Sequence, residues 1–185
     1  MKTILLPALF TLVFINGSTA QSCREVVRDA SGRVVQTVER QKQSGGTERA
    51  VIRDASGRMI GTATTHSNPG STTRTDFRDS SGRLTGTATT HAYPNSTTSN
   101  TTYRDSSSRL SGTASTTHNQ NSGSRTQFRD ASGRHTGSQS TSGNCSGSTT
   151  TTQRDASSRL TGTSSTSGKC TGMPLVPIPP SGTKK

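Results

Sequence analysis

The residues with the greatest capacity for chemistry are arginines that bracket an aspartate. Arg78 and Arg83 flank Asp79, Arg104 and Arg109 flank Asp105, and Arg129 and Arg134 flank Asp130. That spacing sets two guanidinium groups at one turn, and repetition of the turn sets them in rows. A guanidinium fork matches the oxygens of carboxylates and phosphates. Rows built from Arg78, Arg83, Arg104, Arg109, Arg129 and Arg134 would meet regularly spaced anionic groups. An anionic glycan, lipid head groups or extracellular nucleic acid are the expected partner classes. A net charge of +12 over 185 residues points the same way. The plainer role is pairing of each Arg with a turn Asp of its own or the next copy.

Other candidate chemistry is structural. Cys145 and Cys170 lie 25 residues apart in SGNCSG and SGKCTG, at one phase of neighbouring copies. In an oxidising compartment they are expected to form a disulfide, worth about 3 kcal/mol. Cys23 is left over, for an intermolecular bridge or a lipid. His66, His91 and His118 share a phase after Thr-Thr, but no carboxylate or Cys accompanies them, so no metal site is expected. Glycosylation triplets begin at Asn95, Asn100 and Asn144, as chance favours in a Ser/Thr-rich chain. Catalysis needs one unlike constellation in a pocket, whereas these copies are equivalent. The expectation is a protein with no catalytic residues, metal or cofactor.

The elements that must carry these residues are repeats. Arg-Asp pairs begin at Arg28, Arg53, Arg78, Arg104, Arg129 and Arg154, six copies with a step of 25 residues and a single 26. Each reads Arg-Asp-Ala/Ser-Ser-Gly/Ser-Arg. Asp at the first turn position accepts backbone N–H bonds, and Gly closes the turn where positive φ is needed. Ser108 and Ser158 replace that Gly and predict looser turns. Val27, Ile52, Phe77, Tyr103, Phe128 and Gln153 precede the pairs. Val34, Met59, Leu84, Leu110, His135 and Leu160 follow the second Arg. Flanking the turn at similar distances, the two sets are expected to face each other on the buried side. The run GTATT then alternates, with Thr87 and Thr89 on one face and Gly86 and Ala88 on the other. Each copy therefore supplies two strands, a turn and a loop. The expected fold is all-β: repetitive antiparallel hairpins in an elongated meander or solenoid-like sheet with little core.

The string Asp79-Ser80-Ser81-Gly82-Arg83-Leu84 resembles the turn of the YD repeat of Rhs-type and teneurin-type proteins. In that family an aromatic-Asp pair precedes two variable residues and Gly-Arg-Leu. The resemblance covers a few residues in each of the six copies and implies hairpin repeats on a secreted or cell-surface protein. This chain departs in placing Arg between the aromatic residue and the Asp, and it lacks the long array of a closed shell. No toxin, shell or substrate is carried over.

Composition bounds the rest. The chain is 24% hydrophobic and has no Trp. Ordering a residue costs about 1–2 kcal/mol of backbone entropy, against about 25 cal/mol per Å² of apolar area buried. A thick globular core is therefore excluded. Residues 1–20, with an apolar run from Ile4 to Ile15, read as a secretory signal cut before Gln21. Residues 21–50 read as a degenerate, capping first repeat, 51–172 as the hairpin-repeat domain and 173–185 as a Pro-rich flexible tail. The expected location is secreted or periplasmic, with no transmembrane segment after processing. Three functions fit: a surface protein contacting polyanions or glycans through Arg rows, a Thr-rich binder of ice or crystal faces, and a self-assembling matrix component.

Overall fold

A computed structural model describes residues 22–68, 70–119, 123–143 and 148–168. The expected signal, the Cys145–Cys170 disulfide and the Pro-rich tail lie outside the described residues. Twelve antiparallel strands form six hairpins. They are β1 (Ser22–Asp29) with β2 (Val34–Lys42), β3 (Thr47–Asp54) with β4 (Met59–Ser67), and β5 (Thr72–Asp79) with β6 (Leu84–Ala92). The others are β7 (Thr98–Asp105) with β8 (Leu110–Asn119), β9 (Gly123–Asp130) with β10 (His135–Ser142), and β11 (Thr149–Asp155) with β12 (Leu160–Gly168).

The turns form as their chemistry requires. Asp79 Oδ1 accepts the backbone N–H groups of Ser81 and Arg83 at 2.9 and 3.0 Å. Gly82 has φ +83°, while Ser108 and Ser158 adopt +63° and +65° at the same position. That region is strained for an L-residue. Ser108→Gly and Ser158→Gly should therefore each stabilise the fold by about 0.5–1 kcal/mol, read as a raised urea midpoint with unchanged slope.

The hairpins do not form an open meander or a solenoid. β1 pairs with β12, from Cys23 opposite Gly168 to Asp29 opposite Gly162, and the sheet closes into a twelve-stranded barrel. Stagger explains the closure. Following paired residues around the wall leads from Val38 to Ile52, Gly61 and Asp79. Asp79 lies 27 residues beyond Ile52 while the repeat is 25, so the ladder drifts by two residues per hairpin. Uniform stagger tilts strands by roughly 35–45° to a barrel axis, and right-handed twist bends the ribbon round. The glycine of GTATT makes the junction. A Cβ on Gly86 would lie 2.7 Å from the Arg104 carbonyl of the next hairpin. A Cβ on Gly162 would lie 2.5 Å from that of Arg28, so the last copy meets the first as each copy meets its successor.

The residues expected to face across each turn do not do so. Phe77 pairs with Gly86 and Leu84 with Arg78, because a bulge shifts the register between Phe77 and Arg78. The same shift leaves Met59, Leu110 and Leu160 exposed instead of buried.

Alternation of GTATT holds, with Gly86 and Ala88 buried and Thr87 and Thr89 outward and partly exposed. Inside, side chains form layers. Ile52, Phe77, Tyr103 and Phe128 stand nearest the turns, and Val38, Ala50, Ala63, Ala88 and Ala114 stand beyond them. Next, facing threonines share hydroxyl hydrogen bonds between hairpins: Thr65–Thr75, Thr90–Thr101 and Thr116–Thr126 at 2.8 Å, and Thr141–Thr151 at 3.0 Å. Val38 is 0% and Thr75 2% exposed, so the interior excludes water there. Small side chains suffice because closure pairs both edges of every strand and the inward hydroxyls satisfy one another.

Candidate functional site

Each Arg-Asp turn joins an odd-numbered strand to the next even-numbered one, so all six turns lie at one end of the barrel. Closure bends the expected rows of arginine into a ring. Twelve Arg and six Asp share this rim, a net charge of +6.

The two arginines of a turn do different work. Arg78 Nη1 donates to the Gly82 carbonyl, Arg104 Nη1 to that of Ser108 and Arg129 Nη1 to that of Gly133, each at 2.9 Å. These three brace their turns and are exposed. Arg83, Arg109 and Arg134 donate their backbone N–H to the turn Asp. Their guanidinium groups are exposed and, among the described residues, make no hydrogen bond or ion pair. Nor, among the described residues, does a turn Asp form an ion pair with any of the six arginines. The carboxylates are already held: the Ser81 hydroxyl first, then the Arg83 backbone N–H, keep Asp79 below the usual aspartate range. The rim thus combines hydrogen-bonded turn carboxylates with exposed guanidinium groups, of which that of Arg83 attracts Asp79 without an ion-pair contact.

The other candidates sit elsewhere. His66, His91 and His118 are near the opposite end on β4, β6 and β8, with a strand between each pair. His66 stands opposite Arg74 and His91 opposite Thr72, so neighbouring rings are offset by two residues along β5 as well as by two strand spacings of about 9.5 Å. His91 Nδ1 instead lies 3.0 Å from the Thr72 hydroxyl. Thr62, Thr64, Thr87 and Thr89 lie on the outer wall, with Arg74, Asp76 and Arg78 of β5 between the two pairs. No helix among the described residues is long and apolar enough to cross a membrane. The outward residues include Arg24, Arg49, Arg74 and Arg125 among Ser and Thr, unlike the apolar band of a lipid-embedded barrel.

One constellation is unlike the rest and did not emerge from the repeat pattern. Inside the barrel, Arg40 Nη2 lies 3.1 Å from Glu25 Oε2 and its Nη1 3.3 Å from Glu48 Oε1. Copies three to six carry Thr where Glu25 and Arg40 stand, and Thr or Ser where Glu48 stands. Ala50 replaces the Thr that would otherwise face Arg40, making room for it. Burial opposes the Arg40 charge, but the two carboxylates outweigh it and raise its pKa further. Arg40 Nε and Glu48 Oε2 are buried without a hydrogen-bond partner. The signal in the sequence is a matched set of substitutions at inward phases. Cys23, opposite Arg40, is also buried.

Comparison with known proteins finds no matching family model, no matching curated protein and no matching solved structure. The YD-repeat resemblance of the turn therefore rests on the turn residues alone.

Proposed function

We propose that this is a secreted or periplasmic binding protein, without catalytic activity, whose arginine rim engages an anionic polymer or surface. The supporting observation is the gathering of six like turns at one end, with the guanidinium groups of Arg83, Arg109 and Arg134 exposed and in no hydrogen bond or ion pair among the described residues. An array of identical cations suits a ligand with repeated anionic groups, because each contact adds to affinity by releasing a counterion. It does not suit a reaction centre, which needs unlike groups converging on one atom.

The test compares the full chain with an Arg83→Gln, Arg109→Gln, Arg134→Gln variant on heparin and double-stranded DNA, at about 50 and 200 mM salt. Wild type should lose affinity steeply as salt rises. The variant should bind less tightly at the lower salt, with a salt slope on DNA reduced by about three. Its thermal unfolding should be nearly unchanged, since exposed substitutions cost about 0.5 kcal/mol or less. Salt-insensitive binding, or equal binding by the variant, would exclude the rim as the site.

A further inference from the structure

The partner class can be narrowed by the rim's apolar content. Among the described residues six large hydrophobic side chains are exposed, and five of them, Val35, Met59, Ile60, Leu110 and Leu160, belong to the first two residues of strands leaving the turns. Met59, Leu110 and Leu160 directly follow the second Arg of their turns. The sixth, Tyr93, lies at the opposite end. The same rim therefore carries exposed guanidinium groups and exposed aliphatic side chains side by side.

We infer that the turn end of the barrel docks end-on against an anionic lipid bilayer. The inference rests on the arginine-rim reading and names its partner. The ring shape favours a planar ligand: a linear polyanion crossing the rim meets only the turns beneath its path, whereas a sheet of head groups meets all six together. The chemistry favours it too. Arginines are drawn to anionic head groups, while aliphatic side chains enter the boundary between head groups and acyl chains. A highly charged glycan, or the phosphate backbone of a duplex, offers those aliphatic groups no apolar layer to enter. The outer wall, rich in Thr, Ser and Arg, keeps the barrel on the surface and out of the hydrocarbon.

The chain contains no Trp, so a single introduced indole reports one location. Leu110→Trp and Leu160→Trp mark the rim, and Tyr93→Trp marks the far end. Each full-length variant is mixed with phosphatidylcholine vesicles and with vesicles containing equal phosphatidylglycerol. All three share the same N-terminal apolar segment, so only the reporter differs. The rim variants should shift to the blue and be quenched by brominated acyl chains in the anionic vesicles alone, and Tyr93→Trp should not change. Adding Arg83→Gln, Arg109→Gln and Arg134→Gln should lower partitioning on the order of a hundredfold. Unshifted rim indoles alongside salt-dependent heparin or DNA binding would overturn lipid docking and leave the arginine reading standing. Equal shifts at Tyr93 would overturn the end-on geometry, and no binding to vesicles, heparin or DNA would overturn both readings.

Discussion

Replacing Arg40 by leucine should destabilise the barrel by about 3–5 kcal/mol, since removing one partner strands uncompensated charge in the interior. Glu25 and Glu48, whose side chains are 15% and 7% exposed, would lose the only cation that contacts them among the described residues. Domains of this size have about 5–15 kcal/mol in total, so the loss should be plain in urea unfolding followed by circular dichroism. A companion variant, Glu25→Thr, Arg40→Thr, Glu48→Ser and Ala50→Thr, restores the pattern of the later copies. It should match wild type or exceed it by about 1–4 kcal/mol, because burying charges costs more than a hydroxyl pair. An Arg40→Leu barrel as stable as wild type would show that the triad is not held as the geometry indicates.

Gly162→Ala should cost about 2–3 kcal/mol, as overpacking against a fixed neighbour does. The new Cβ would stand 2.5 Å from the Arg28 carbonyl, across the seam where the last hairpin meets the first. Gly112→Ala, with its Cβ 2.5 Å from the Arg129 carbonyl inside the wall, should cost the same. Equality of the two is the informative result. In an open sheet β12 would be an edge, and alanine at 162 would act as a surface substitution worth about 0.5 kcal/mol or less. Amide exchange at Val26, Val27 and Arg28 adds a local reading, since β1 should lose protection first when its seam is forced apart. A neutral Gly162→Ala beside a costly Gly112→Ala would overturn closure.

Much of the hairpin was legible in the residues. Asp79 and Gly82 specify a turn by local chemistry, and Gly86-Thr87-Ala88-Thr89 announces its two faces by alternation. The pairing of Phe77 with Gly86, and not with Leu84, was not legible. It depends on a bulge that adds one residue to the even strand, and turn type alone does not reveal on which side of the ladder that residue falls. Nor was the purpose of Gly86 visible: it is small because the neighbouring hairpin's backbone approaches, a contact that needs the neighbour's position. The inward placement of three charges in the first two hairpins was not legible for the same reason. Glu25, Arg40 and Glu48 face one another only once β1 and β3 are both placed beside β2.

The amino-acid sequence by itself determined the repeat, the turns, the two-faced strands and the clustering of Arg around Asp, because each depends on contacts among residues close in the chain. Tertiary structure alone decided that six hairpins close, that arginines and aliphatic groups share one rim, and that three charged residues meet inside. Those outcomes depend on stagger and twist summed over twelve strands, a geometric total that no single copy contains.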